Sequence, residues 1–137
     1  MREIKFRAKA INRDPNTEYR TNYKNGDWVY GLITDLPIET SFGTSPATMT
    51  NENGISGIEI DFETLGQYIG AKDVNEVEIY EGDIVKSNGK LHVVSYDEYC
   101  AQFLFCNDEE DMGYGNLFIV EVVGNVYDNP ELLEEMQ

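Results

Sequence analysis

Histidine occurs once in this chain, at His92, and cysteine twice, at Cys100 and Cys106. A single imidazole leaves a histidine-based metal site without a second ligand of its kind. Set in Leu91-His92-Val93-Val94, it reads as a packed or surface strand residue rather than a catalytic base. The cysteines lie six apart, so they form no CxxC, and no second pair completes a zinc site; both read as small buried or half-buried thiols. Long apolar runs are also missing. The longest, Leu117 to Val120, stops at Glu121, far short of a membrane span. The opening residues Met1-Arg2-Glu3-Ile4-Lys5 are charged where a signal peptide is apolar, which places the expected site of action in the cytoplasm. No P-loop and no GxGxxG occurs, and Gly113-Tyr114-Gly115 reads as a flexible loop.

Basic residues are scarce, with ten Lys and Arg against twenty-six Asp and Glu and a net charge of −16. Seven of the ten fall in the first twenty-four positions: Arg2, Lys5, Arg7, Lys9, Arg13, Arg20 and Lys24. Against Glu3, Asp14 and Glu18 that segment is +4, and the rest of the chain is −20. Such a body repels a phosphate backbone, so direct nucleic-acid binding is not expected. The acidity reads first as a solvated surface, and secondly as a mimic of DNA or a docking face for a basic host or phage protein. The run Asp108-Glu109-Glu110-Asp111 lacks the spaced ligands, central Gly and terminal Glu of an EF-hand, leaving at most a weak cation site. No cofactor and no metal is expected.

With 137 residues, 41% of them hydrophobic and 12% aromatic, the chain has the material for one folded domain. Ile4, Phe6, Ala8 and Ala10 alternate with Lys5, Arg7 and Lys9, the pattern of a half-buried strand with a cationic outer face. Trp28 to Ile33 reads as a strand, and residues 40–57, rich in Ser, Thr, Asn, Gly and Pro, as a long exposed loop, disordered or inserted. Ile58, Ile60 and Phe62 mark another strand; residues 64–73 fit either a short strand between turns or one loose helical turn. Ser87-Asn88-Gly89-Lys90 between apolar runs predicts a type I′ hairpin. Gln102 to Cys106 and Leu117 to Tyr127 follow as strands, the second carrying a bulge or close approach at Gly124-Asn125. Asn129 as N-cap and Pro130 at the first helical position predict a short terminal helix with Leu132, Leu133 and Met136 on one face. The fold class is therefore α+β and predominantly β. It comprises a strand-rich part over about residues 1–75, a small twisted barrel-like sheet over about 76–137, and a short C-terminal helix.

Three stretches, with a weaker fourth, stand out together. The first is the opening Met1 to Ala8. The second runs from Gly66-Gln67-Tyr68-Ile69-Gly70-Ala71-Lys72-Asp73 through Glu78-Ile79-Tyr80-Glu81-Gly82-Asp83-Ile84-Val85. The third is Val122-Val123-Gly124-Asn125-Val126-Tyr127-Asp128-Asn129-Pro130-Glu131-Leu132-Leu133, and Trp28 to Gly31 is a weaker fourth. Together they resemble the YopX family of phage and prophage proteins. The chain departs from the family at Val74 to Val77, where a Gly-containing turn is usual. The resemblance implies a phage or prophage origin, an α+β fold with a barrel, and homo-oligomers. It implies no biochemical activity.

The motif residues also have a direct reading. Glu81-Gly82-Asp83 suits a tight turn with Gly at positive φ and Asp83 accepting local backbone N–H groups, though ligand binding stays open. Gln67, Tyr68, Gly70, Lys72, Asp73, Ile79, Tyr80, Gly124, Asn125, Asn129 and Pro130 read in the same structural sense. The candidate interface is the cationic strand face of Arg2, Lys5, Arg7 and Lys9, set against acidic surface within the subunit or on another copy. The expected function is that of a non-catalytic, homo-oligomeric interaction protein. A DNA-mimic inhibitor of a host nucleic-acid-binding protein is the alternative, and an enzyme with a carboxylate-based site the third reading.

Overall fold

The computed structural model describes residues 3–13, 23–108, 111–112 and 119–136. The fold is predominantly β: of the described residues 56% are in strands and 4% in helix, and the sheets are twisted and partly ring-like. It divides into two compact units, Glu3–Gln67 and Tyr68–Gln137. The division falls inside one long strand, a little before the position the sequence suggests.

In the first unit, β1 (Phe6–Ala10), β2 (Trp28–Asp35), β5 (Thr48–Asn51) and the start of β6 (Ile58–Lys72) pair antiparallel in that order. β6 then pairs back onto β1, Phe6 opposite Gln67 and Ala10 opposite Ile60, so the four strands close into a ring. Few strands make a narrow barrel. Its interior is accordingly filled by small residues, Ala8, Ala10 and Ala47, with Val29, Met49, Ile58 and Ile60. The closure costs β6 a bulge, since its register jumps between Gly66 and Asp61. Thr64 seals the gap: its Oγ1 accepts from the Lys9 amide at 2.9 Å and donates to the Asp61 carbonyl at 2.7 Å. At Gly31 the β2 and β5 backbones approach so closely that a Cβ would collide with the Thr50 carbonyl oxygen.

Residues 40–57 are not one loop. They complete β3 (Ile38–Thr40) and contain β4 (Gly43–Ser45), which pair as a separate two-stranded hairpin, and then β5. β5 was hidden because its inward positions are Met49 and Asn51, only one of them apolar. The Asn51 side chain accepts from the amides of Asn53 and Ile55 and donates to the Tyr23 hydroxyl, which satisfies it inside. Residues 64–72 are strand, not a helical turn, but they continue the long β6 rather than forming a short strand between turns.

In the second unit, β7 (Glu78–Tyr80) pairs with the end of β6. β8 (Asp83–Ser87), β9 (Lys90–Asp97), β10 (Gln102–Cys106), β11 (Asp111–Met112) and β12 (Glu121–Asn125) form a five-stranded sheet in the order β11-β10-β9-β8-β12. Ile69, Ile79, Val85, Val94, Phe105 and Val120 make its core. Asn88 and Gly89 both have positive φ, 52° and 79°, as the type I′ turn requires. β12 is shorter than the predicted strand: Val126–Asp128 form a turn, and residues 113–118 lie outside the described set.

The motif residues hold this unit's turns. Asp73 is buried, and one carboxylate oxygen accepts from the amides of Asn75 and Val77 at 2.8 and 2.9 Å, the other from Val122 at 2.8 Å. Asp83 is buried too and accepts from the Tyr80 amide at 2.8 Å, closing the turn in which Gly82 has φ +88°. Gly124 sits at the register shift of β12, where a Cβ would stand 2.6 Å from Asn129 Oδ1. That same oxygen accepts from the Asn125 amide at 3.1 Å. The Asn129 side chain is thus turned back toward β12 and does not cap the helix. The short α1 (Glu131–Glu134) starts from Pro130 with no side-chain cap, and Leu132, Leu133 and Met136 are half-buried.

Asp73→Ala strands backbone donors that the fold has already removed from water. It should lower stability by roughly 2–4 kcal/mol. The check is a lower urea midpoint with an unchanged m-value, and Asp73→Asn, which keeps one acceptor oxygen, should cost less.

Candidate functional site

The cationic strand face is gathered by β1 pairing. Lys9 stands opposite Trp28 and Arg7 opposite Tyr30. The Arg7 guanidinium lies 4.7 Å from the centre of the Trp28 ring and the Lys9 ammonium 5.4 Å from it, so one indole serves two cations. Each such contact is worth about 0.5–1 kcal/mol when exposed and more when desolvated. Arg7 is only 6% exposed, so this face is not the open outer surface that alternation suggests. Lys5 bridges Glu3 at 3.3 Å and Glu52 at 3.6 Å. Arg2 lies outside the described residues. Alternation tells which side a residue takes, and an aromatic on the next strand decides whether that side is covered.

Among the described residues, reactive side chains meet at Cys106, beside Ser95 and Asp111. His92 is fully buried in β9, opposite Val85. Cys106 is half-buried, its Sγ 3.4 Å from the Ser95 hydroxyl. Burial pushes its thiol pKa up; the Ser95 hydrogen bond opposes this, while Asp111 and Asp97 add to it. A raised pKa keeps the thiol protonated near neutrality, the wrong state for a nucleophile. Asp108 and Asp111 are exposed, and Glu109 and Glu110 lie outside the described residues. Among the described residues no three His, Cys, Asp or Glu side chains are grouped to hold a metal ion. No helix among them is long and apolar enough to cross a membrane.

Two shallow clefts of about 360 and 390 Å³ share Asn107 and Met136. Lys86 and Lys90 border the first, but Lys86 faces Glu121 across the β8–β12 pair, and Glu135 also lines the cleft. Cationic and acidic side chains thus both line this cleft.

What remains is apolar. All six residues of the β3–β4 hairpin are exposed, and the hairpin carries a fully exposed Phe42 in its turn. Leu36 and Ile38 at its base are 56% and 58% exposed. Thr40 tightens the turn: its hydroxyl donates to the Gly43 carbonyl at 2.7 Å and accepts from the Phe42 amide at 3.2 Å. Pro37 and Pro46 bracket the arm and withhold the amides that would lengthen its ladder. On the neighbouring outer face of β2, Tyr30 and Leu32 are 37% and 53% exposed. Sequence reading missed this arm, although an isolated Phe between two prolines in a polar stretch was the available signal.

Residues 5–134 match the family described as YopX protein. Among solved structures, the chain is similar to protein EF1440 from Enterococcus faecalis, at 24% identity and a TM-score of 0.55, over 97% of this chain and 99% of that one. That likeness is one of fold. No curated protein matches the chain.

The two thiols should part in alkylation. With iodoacetamide near neutral pH, mass spectrometry should find exposed Cys100 modified first and Cys106 lagging, with the gap closing as pH rises and Cys106 ionises. Equal rates at neutral pH would contradict the burial of Cys106.

Proposed function

Because the chain belongs to the YopX family, we propose that it is a phage- or prophage-type, non-catalytic interaction protein that works in the cytoplasm as a homo-oligomer. The exposed β3–β4 arm, with Phe42 wholly in water, carries this reading. A two-stranded hairpin standing alone is marginally stable, and a fully solvated Phe adds nothing to the fold it belongs to. Side chains kept apolar at such a place are explained by a surface that covers them. The burial of His92 and the raised pKa of Cys106, whose thiol stays protonated beside Asp111, support the same reading.

A second reading rests on charge. Sixteen acids and three lysines fall in residues 68–137, a balance of −13, against −3 in residues 1–67. A body so polarised suits a basic partner protein and supports the DNA-mimic alternative, in which attraction falls steeply with salt.

Light scattering separates the two. An oligomer held by apolar contact should keep a mass above the monomer's at both low and high salt. A DNA mimic should be captured by a basic partner from host lysate only at low salt, and duplex DNA should displace it. A monomer at both salts, down to the highest soluble concentration, would remove the leading reading.

A further inference from the structure

The arm also indicates what covers it. Residues 40–51 form the longest uncharged run in a chain of net charge −16, and Glu39 is the one charge from Leu36 to Asn51. A basic partner is drawn to carboxylates and gains nothing from this stretch. A second copy of the chain is in the opposite position. Like-charged copies repel over most of their surface, and contact is cheapest where neither carries charge.

The first unit also supplies a receiving surface with the same character. Tyr30, Leu32 and Thr34 lie on one face of β2, two residues apart. Thr50 stands beside them on β5, opposite Leu32 and joined to Thr34 by a 2.7 Å hydroxyl contact. None of the four is charged; Arg7, which flanks Tyr30, is nearly buried, and Asp35, bonded to Thr48, marks the far end of the face. β2 is hydrogen-bonded on both sides, to β1 and to β5, so it has no free edge for an added strand. Whatever docks there must do so through side chains on its face.

We infer that the β3–β4 arm of one copy lies across the outer face of β2 of a second copy, reciprocally about a two-fold axis, with Phe42 against Leu32. This rests on the self-assembly reading above and names its surface. A fully exposed Phe presents ~150–250 Å². With Leu36 and Ile38 added, two arms on two receiving faces bury roughly 1,200–1,600 Å², which reaches the range of stable interfaces. The contact is isologous, as a closed dimer requires.

The test uses the full chain with Cys100→Ser and Cys106→Ser. Chains carrying Phe42→Cys are mixed with chains carrying Leu32→Cys and oxidised with diamide. Separately, Phe42→Asp is followed by light scattering and urea unfolding. The clasp predicts a disulfide-linked heterodimer from that mixture and none from Phe42→Cys mixed with Tyr99→Cys. It also predicts a folded monomer for Phe42→Asp, whose urea midpoint equals that of the wild-type chain diluted until it too is monomeric, because Phe42 is fully exposed within its own copy. A homodimer linked through Phe42→Cys alone would mean that arms pair with arms, and would overturn the inference. So would monomerisation by Phe42→Asp without the mixed cross-link, which assigns the arm another receiving face. An oligomer indifferent to Phe42→Asp removes the clasp and leaves self-assembly standing. A monomeric wild-type chain removes both.

Discussion

In the unit spanning residues 3–67, almost everything follows from β1 being hydrogen-bonded along both of its sides. Five residues hold the ring shut. Pairing to β2 alone would leave an open sheet with β1 and β6 as raw edges, a standing invitation to pair with other chains. Pairing to β6 removes both edges and sets the barrel's narrow bore. The bore dictates alanine at three inward positions and leaves room for one long side chain, Met49. The same closure forces the bulge that Thr64 seals, and it puts Arg7 and Lys9 over Trp28 instead of into solvent.

The second unit is organised by a different device, in which short polar side chains accept backbone N–H groups at its bends. Asp73 takes three, Asp83 one, Asn125 two from Tyr127 and Asp128, and Asn129 one. Each acceptor replaces water for donors that no strand pairs. Two of the carboxylates so used are buried, which means that part of the chain's large acidic complement is structural and does not contribute to the surface field. Family motif and fold anchor coincide here: the stretches that mark the family are those in which one side chain fixes one turn.

That coincidence explains what was readable in advance. Asn88-Gly89, Glu81-Gly82-Asp83 and Gly124 each occupy a backbone conformation or a close approach that few residues tolerate, so the residue type announces the geometry. Ile58 and Ile60 announce β6 by alternation. The arm gave no such sign, because a hairpin exposed on both faces has no apolar period, and its strands read Ile-Glu-Thr and Gly-Thr-Ser. β5 escaped for the opposite reason, a polar Asn51 in a buried position. Asn129 shows a third limit. Its residue type correctly signalled a local acceptor, but sequence could not say whether the helix or the Asn125 amide would claim it. Of the candidate site, the gathering of Lys5, Arg7 and Lys9 was legible as a shared face, whereas its covering by Trp28 depends on a strand pairing that adjacent residues do not encode.

Ring closure also bears on how the chain is made. Phe6 meets Gln67, so β1 cannot complete its pairing until sixty-one further residues exist. At ~5–20 residues per second that is an interval of several seconds, long compared with hairpin formation, which takes ~1–10 μs. Throughout it, Phe6, Ala8 and Ala10 belong to a strand with a vacant side. Alternating lysine and arginine with the apolar positions is the composition that keeps such a segment from joining its counterpart on a neighbouring nascent chain. The basic residues concentrated at the start of an otherwise acidic protein therefore protect the strand that waits longest.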